Sequence, residues 1–499
     1  MVKYPNVTDY IKIPRMLKRY SFDEKMRICN QFSRKLMDMH GIISADKMEK
    51  QPYPWELETF LLFCIKASPE YQHGDFNGKN ENKFINMIRG IRDFTQPEMI
   101  KIEGTIKFAD YFIVAMSLIQ FESQELFYSK LYRYSYIFNF SNSILNMKDE
   151  FIKKFGIEYN EFMYFGSFLT FLYGSQKFIT ETIMNYIVIK IFPKPYKELT
   201  ITKEEYLEQL DSITVNQTDY VTCLRPSYKY PFILSNNRTY LPLPHIIGRA
   251  VTSSLLYRIT EGNNSLREKI GKEVLEDYLY KILCEANIYD EKYKEQDYIA
   301  EHHNQSKTLD IMLREGDEYL LMDSKSSVPN IGLRLYNEDS HQKEIKKLTE
   351  NVIQVYKHLR TYFMNHYNPF KGKPIVPDEK LWGAIVVLED SYIRRNIVYE
   401  NAAKTLEIEQ NSDEYVWMQN HIKITNLYDI EKVSFTGRSI ISEFANQRDS
   451  GLAGDYPLVS AIKEHPTIIN KDYLSFKKNL LAKFMDVTKL LNEEGIIGK

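Results

Sequence analysis

The chain has 499 residues, of which 43% are hydrophobic and 26% charged, ordinary values for a globular protein with room for about two to four domains. Its formal net charge of −2 excludes a protein that coats nucleic acid by bulk electrostatics, while a basic channel confined to one face stays compatible with it. The 37 tyrosines fit an AT-rich coding bias and carry no chemistry of their own.

From the N-terminus, MVKYPNVTDYIKIPRML lacks the apolar core of a signal peptide, and no apolar run reaches membrane length, so a cytoplasmic protein without membrane contact is expected. Cys29, Cys64, Cys223 and Cys284 form no Cys-x-x-Cys pair, which fits a reducing compartment and no structural zinc. Residues 1–215 read as a large, mainly α-helical domain for target recognition or regulation, with helices over 22–39, 55–67, 108–121 and 162–190. Ser21 followed by Asp23 and Glu24 suits a capped N-terminus for the first of these.

Near residue 215 the pattern changes. Pro226, Pro231, Pro242 and Pro244 deny this stretch a long helix, and residues 232–241 read as a hairpin turning at Asn236-Asn237. Residues 221–260 carry Arg225, Lys229, Arg238, Arg249 and Arg258, interleaved with Tyr228, Tyr230, Phe232 and Tyr240, and no Asp or Glu. Such a mixture can grip phosphates and stack bases, or pack as a basic loop on an acidic neighbour. Residues 216–260 are therefore expected to form a connector, followed by a helix over 246–260.

The most informative stretch is Thr308 to Ser326, TLDIMLREGDEYLLMDSKS. Gly316-Asp317, with Gly first, is a favoured two-residue hairpin loop between apolar runs. That loop places Glu315 opposite Glu318, Leu313 opposite Leu320, and Asp310 opposite Asp323. Two carboxylates then share one rung, their Cβ atoms about 5 Å apart. Like charges so placed repel, whereas a Mg²⁺ site needs converging oxygen ligands. Lys325, two residues beyond Asp323, falls on the same face, where its ammonium can hold a phosphate or help deprotonate an attacking water. Beyond the hairpin, Ile345, Leu348, Val352, Val355 and Leu359 repeat at helical spacing, with Gln354 and Lys357 off the apolar stripe. Residues 382–389 read as a buried strand, 421–427 as an edge strand, and 436–499 as helix, clearest over 475–492.

This constellation resembles the PD-(D/E)xK nuclease superfamily over about residues 265–435. Asp323-Ser324-Lys325 matches the second motif, and Asp310 the first Asp, with Leu309 in place of Pro. Glu276, in Leu-Glu-Asp-Tyr-Leu, matches the helix-borne acid, with Glu273 in reserve. Gln354 resembles the Gln of the RecB-like Gln-x-x-x-Tyr pattern, but His358 stands where the Tyr would be. The resemblance implies an α/β (α+β) restriction-endonuclease-like core over residues 261–435, flanked by the helical N-terminal domain and a C-terminal helical segment, 436–499. It also implies a Mg²⁺-dependent nuclease, Mn²⁺ being a substitute, that cuts nucleic acid, DNA ahead of RNA, in a setting such as antiviral defence. Asp310, Asp323, the Ser324 carbonyl and Glu276 would bind metal. Lys325 and Gln354 would complete the catalytic set, and Arg225, Lys229, Arg238, Lys347 and Lys357 would contact the nucleic acid. Cutting both strands would call for a homodimer or a partner protein.

A lone Asp-x-Lys on a strand is common and usually structural, and Glu276 taken alone reads equally well as an exposed helix acid. The alternative function is a protein with a nuclease-like fold that binds nucleic acid or a partner without cutting; a purely structural assembly subunit is a third. No Gly-x-x-x-x-Gly-Lys-(Ser/Thr) loop or Gly-x-Ser-x-Gly elbow is present. His302-His303-Asn304 invites comparison with HNH nucleases, but the later residues lack a ββ-metal frame.

Overall fold

The computed structural model describes residues 7–37, 52–67, 81–101, 106–120, 125–175, 180–213, 220–302, 308–363, 368–449, 458 and 467–496. The chain mixes helix with two sheets of mixed strand direction and divides into two compact units. One holds Met1–Asn139, Met147–Glu261 and Lys477–Lys499; the other holds Phe140–Asn146 and Gly262–Phe476.

The first unit is built on helices. Phe22–Lys35 starts where Ser21 Oγ accepts the Glu24 N–H at 3.2 Å, the expected cap. The helix ends four residues short of the expected end, and residues 38–39 lie outside the described set. Pro54–Lys66 is buried on nearly every side, as an apolar helix without a polar face must be. The expected 162–190 helix is instead Tyr159–Gly174 followed by Glu181–Tyr186, which widens into a π turn over Ile187–Ile191, with residues 176–179 outside the described set. Strands β1 (Thr200–Thr202), β2 (Phe232–Ser235) and β3 (Arg238–Tyr240) form a three-stranded sheet. Asn236 and Asn237, at φ +50° and +60°, make the hairpin between β2 and β3, since paired positive φ values favour Asn in a two-residue turn. The expected helix over 246–260 is interrupted at Thr252, whose hydroxyl bonds the Gly248 carbonyl at 2.5 Å, a side-chain bond that competes with the helical ladder.

Within the expected connector 216–260, the described residues 220–260 pack into the first unit. Ile233, Leu243 and Ile246 join the same core as Phe32 and Phe60, and β2 pairs in parallel with β1. Arg225 corrects the expectation of a nucleic-acid contact. It is 1% exposed, and its guanidinium bonds the Tyr228 hydroxyl, Thr59 Oγ1 and the Val221 carbonyl at 2.9, 2.9 and 3.0 Å, with Glu58 at 3.5 Å. Tyr228 and Phe232 are buried as well, so neither ring is open for stacking on a base. In the same network His245 Nδ1 lies 2.8 Å from Ser33 Oγ and Nε2 lies 3.4 Å from Glu58 Oε1. The order Ser, His, Glu resembles a charge-relay triad. Ser33 is nevertheless fully buried, and its oxygen accepts the His245 backbone N–H at 3.2 Å, so the network is structural.

The second unit contains a five-stranded sheet in the order β4-β5-β6-β7-β8. Its strands are β4 (Glu291–Lys294), β5 (Ile311–Glu315), β6 (Glu318–Lys325), β7 (Leu381–Val387) and β8 (Ile422–Asn426). β4, β5 and β6 run antiparallel; β6, β7 and β8 run parallel. Parallel neighbours need a crossover, and Glu338–Lys357 is the long helix between β6 and β7. Its stripe Ile345, Leu348, Val352 and Val355 is buried, continuing into Leu359. At Gly383 a Cβ would lie 2.5 Å from Val355 Cγ1 and 2.8 Å from Leu359 Cδ1, so glycine is what lets the helix reach β7. Among the described residues no helix is long and apolar enough to cross a membrane. The C-terminal region holds helices Ile440–Asp449 and Lys471–Glu493.

Burial alone would raise the Glu58 pKa, but the His245 hydrogen bond, the Arg225 charge and the Tyr228 hydroxyl outweigh it and hold it at about 2, against an ordinary 4.5. The network therefore contributes its full stability above about pH 4.5 and loses it as pH falls towards 2. Glu58→Gln should destabilise the chain by about 3–5 kcal/mol at pH 7, because it leaves Arg225 buried without its counter-charge. The deficit should shrink below pH 4 in urea unfolding monitored at both pH values. A loss under about 1 kcal/mol at pH 7 would mean the network is dispensable.

Candidate active site

Residue type and turn chemistry fix the register from which the site is built. Gly316 adopts φ +61° while Asp317 stays out of the positive region, the pattern of a two-residue turn with Gly at its first central position. Glu315 then faces Glu318, Leu313 faces Leu320 and Ile311 faces Met322. Continued one rung past the end of β5, this register sets Asp310 across from Asp323.

The two acids meet there. Asp323 is 2% exposed, and its carboxylate pairs with Lys325 Nζ at 2.7 Å. Asp310 Oδ2 accepts the Ser324 N–H at 2.6 Å, and its carboxyl stands close enough to Asp323 for each to shift the other's charge. Burial, then the charge of Asp323, raise the Asp310 pKa to about 7, against the opposing pull of the Ser324 N–H and Lys325. Burial also raises Asp323, partly countered by Lys325 and by Asp310. Two carboxylates this close cannot both ionise freely; a proton shared between them, or a cation, relieves the repulsion.

Glu276 opens the helix Glu276–Ala286 and belongs to the same constellation. Its pKa is raised to about 8 by burial, then by Asp310 and Glu295, with a smaller push from Asp323 and relief from Lys272. Of the two helix-borne candidates, Glu276 is the one whose carboxyl responds to Asp310. Glu273 turns elsewhere and accepts a bond from Asn142 Nδ2 at 3.0 Å.

Glu295 was missed at the level of sequence. It follows β4 directly, and its backbone N–H bonds the Asp310 carbonyl at 3.0 Å, while its charge raises both Glu276 and Asp310. The only available signal was the acid pair Glu295 and Asp297 beside a short strand that reads as polar coil.

The remaining expected residues divide. Ser324 meets the acids through its amide N–H, where the carbonyl was expected. Lys347, on the crossover helix, reaches Ser327 Oγ just past the end of β6, which brings its ammonium close to the strand end that carries Lys325. Lys357 is exposed on the same helix, about 15 Å further along it. Gln354 is not brought to the acids. It is exposed, and its neighbour Val355 packs on Gly383, at the rung of Leu321, two residues short of Asp323. His358 is buried and bonded to Thr308 Oγ1 at 3.0 Å, and burial lowers its pKa to about 4, so it is a neutral tie to the segment that carries Asp310. In the first unit, Lys229 pairs with Glu261 at 3.4 Å and Arg238 with Asp23 at 2.8 Å. His303 and Asn304 lie outside the described residues.

Oxygen ligands on two neighbouring strands and a helix suit a hard divalent cation. Among the described residues, no group of three or more His, Cys, Asp or Glu side chains already stands at metal-ligating closeness. Asp310 is instead held by the Ser324 amide and Asp323 by Lys325.

Because Asp310 raises Glu276, Asp310→Asn should lower the Glu276 pKa from about 8 towards 4.5 in a carboxyl-carbon NMR titration of the metal-free protein. The raised acids hold protons in the folded state that the unfolded chain has released, so stability falls as pH rises from the ordinary carboxylate range through about 8. Asp310→Asn should flatten that fall. A Glu276 titration unmoved by the substitution would show that the two carboxyls do not share a site.

Comparisons with family models, with curated proteins and with solved structures found none that matches this chain.

Proposed function

We propose that the chain is a divalent-metal-dependent phosphodiesterase acting on nucleic acid, with DNA as the favoured substrate, and that its second unit carries a restriction-endonuclease-like core. The observation that carries this reading is the rung shared by Asp310 and Asp323, with Lys325 2.7 Å from Asp323 and Glu276 within reach of Asp310's field.

Asp310, Asp323 and Glu276 would hold the ion, in place of the proton and the ammonium that now neutralise the two aspartates. A bound Mg²⁺ supplies Lewis-acid stabilisation of phosphate charge and a more acidic water. Lys325, released from Asp323, is then free to orient the attacking water and to meet a phosphate oxygen. Lys347, reaching past the end of β6, supports a phosphate contact on the same side of the sheet. The Ser324 N–H holds Asp310 in place whichever charge state it adopts. Buried carboxylates raised in this way are a recurrent mark of functional sites.

Incubation of plasmid and single-stranded DNA with the protein and Mg²⁺ or Mn²⁺ tests the reading. The parent should cleave, Asp310→Ala and Lys325→Ala should each slow cleavage at least about a hundredfold, and binding measured by fluorescence anisotropy should survive both changes. A parent that binds but never cleaves would make this a docking protein. Cleavage that is equal in the parent and Asp310→Ala would remove the acids from the chemistry.

A further inference from the structure

The helix that delivers Glu276 is not regular. It begins as Asn264–Lys269, capped by Asn263 Oδ1 on the Leu266 N–H at 3.0 Å, widens to a π turn over Ile270–Leu275, and resumes as Glu276–Ala286. Gly271 sits second in the wide turn and is buried against the strand end that follows Lys325. A Cβ on Gly271 would lie 2.6 Å from Ser326 Oγ and 2.7 Å from Ser326 Cβ, closer than any side chain tolerates. Its backbone is not in the positive-φ region, so the requirement for glycine is the close approach alone.

The turn and the contact act together. In an unbroken α-helix, residue 276 would stand about 140° around the axis from residue 271, well away from the face that touches the strand. The i→i+5 bonds of a π turn bring the fifth residue back nearly over the first. Gly271 touches Ser326, so the residue brought over it faces the same strand end, where Asp323 and Lys325 lie. Wide turns of this kind cost backbone hydrogen-bond quality and recur at functional sites.

Resting on the reading above, we propose that Gly271 and the π turn it occupies are a positioning device: the missing side chain lets the helix reach Ser326, and the wide turn rotates Glu276 towards Asp310. Gly271 is a positioning residue, because it touches no reacting atom and acts through Glu276.

The test is a set of variants read by Mn²⁺ binding, followed by electron paramagnetic resonance, and by thermal melting. Gly271→Ala should weaken Mn²⁺ binding at least tenfold and lower the melting temperature. Adding Ser326→Gly, which removes the atoms a methyl would strike, should restore most of both. In a Glu276→Gln background, Gly271→Ala should add no further loss of Mn²⁺ affinity. Failure of Ser326→Gly to restore melting would overturn the steric contact, whatever the metal does. Equal losses of affinity with and without Glu276 would overturn the positioning role, because the glycine would then act on the fold alone. Should Gly271→Ala fail to fold, the double variant Gly271→Ala, Ser326→Gly carries the comparison: near-parental affinity supports the proposal and a persistent tenfold loss overturns it. A parent that binds no Mn²⁺ would sink the site reading and this role with it, while the melting rescue would still decide the packing.

Discussion

The second unit depends on an unfavourable contact: two aspartates held across one rung of an antiparallel hairpin, Asp323 buried and Asp310 half-buried beside it. Sheets ordinarily avoid like charges on opposed positions. Here the register that opposes them is set by Gly316-Asp317 and by the apolar pairs Leu313 with Leu320 and Ile311 with Met322, so relief by strand slippage would turn those side chains out of the core. The repulsion is met locally instead, by the Ser324 amide on Asp310, by Lys325 on Asp323, and by the rise of both carboxyls that lets a proton stay in the folded state.

Other features of the unit make sense as support for that rung. β6 is flanked by β5 on one side and β7 on the other, so the strand that carries Asp323 and Lys325 cannot shift without breaking two ladders. The crossover helix is seated on β7 through Gly383, and the helix of Glu276 approaches the end of β6 through Gly271. Two glycines thus permit two helices to close on one strand pair, each by omitting a side chain where a neighbour already fills the space. Glu295, anchored by its amide to the Asp310 carbonyl, adds a fourth carboxyl without joining the central pair. Under the proposed function, a cation would take the place of the protons that these crowded carboxyls hold.

How much of this could be read from residues alone follows from the range over which each signal acts. The hairpin was legible because a two-residue turn with Gly first leaves one register, and the crossover helix because its apolar stripe repeats over many turns. β7 stood out as an apolar run, and β8 was expected as an edge strand, the place it takes in the sheet order. β4 did not, since Glu-Lys-Tyr-Lys has neither alternation nor apolar content, and its pairing with β5 is purely tertiary. Glu295 was hidden for the same reason. The π turn left no mark either: Ile270 to Leu275 reads as ordinary helix, and the need for glycine at 271 arises from Ser326, more than fifty residues away in sequence. Arg225 misled because a cation amid tyrosines has the same composition whether it faces a phosphate or a buried Glu58. Gln354 misled because lying off an apolar stripe says only that a residue is exposed, not what it faces.

The most direct measurement of the central claim is the anomalous signal of Mn²⁺ soaked into crystals of the chain. The account predicts a peak between the carboxylates of Asp310 and Asp323, with Lys325 turned away from Asp323 and the Ser324 amide still on Asp310. Saturating Mn²⁺ that leaves no peak there, with the two carboxyls side by side and Lys325 in place, would contradict it.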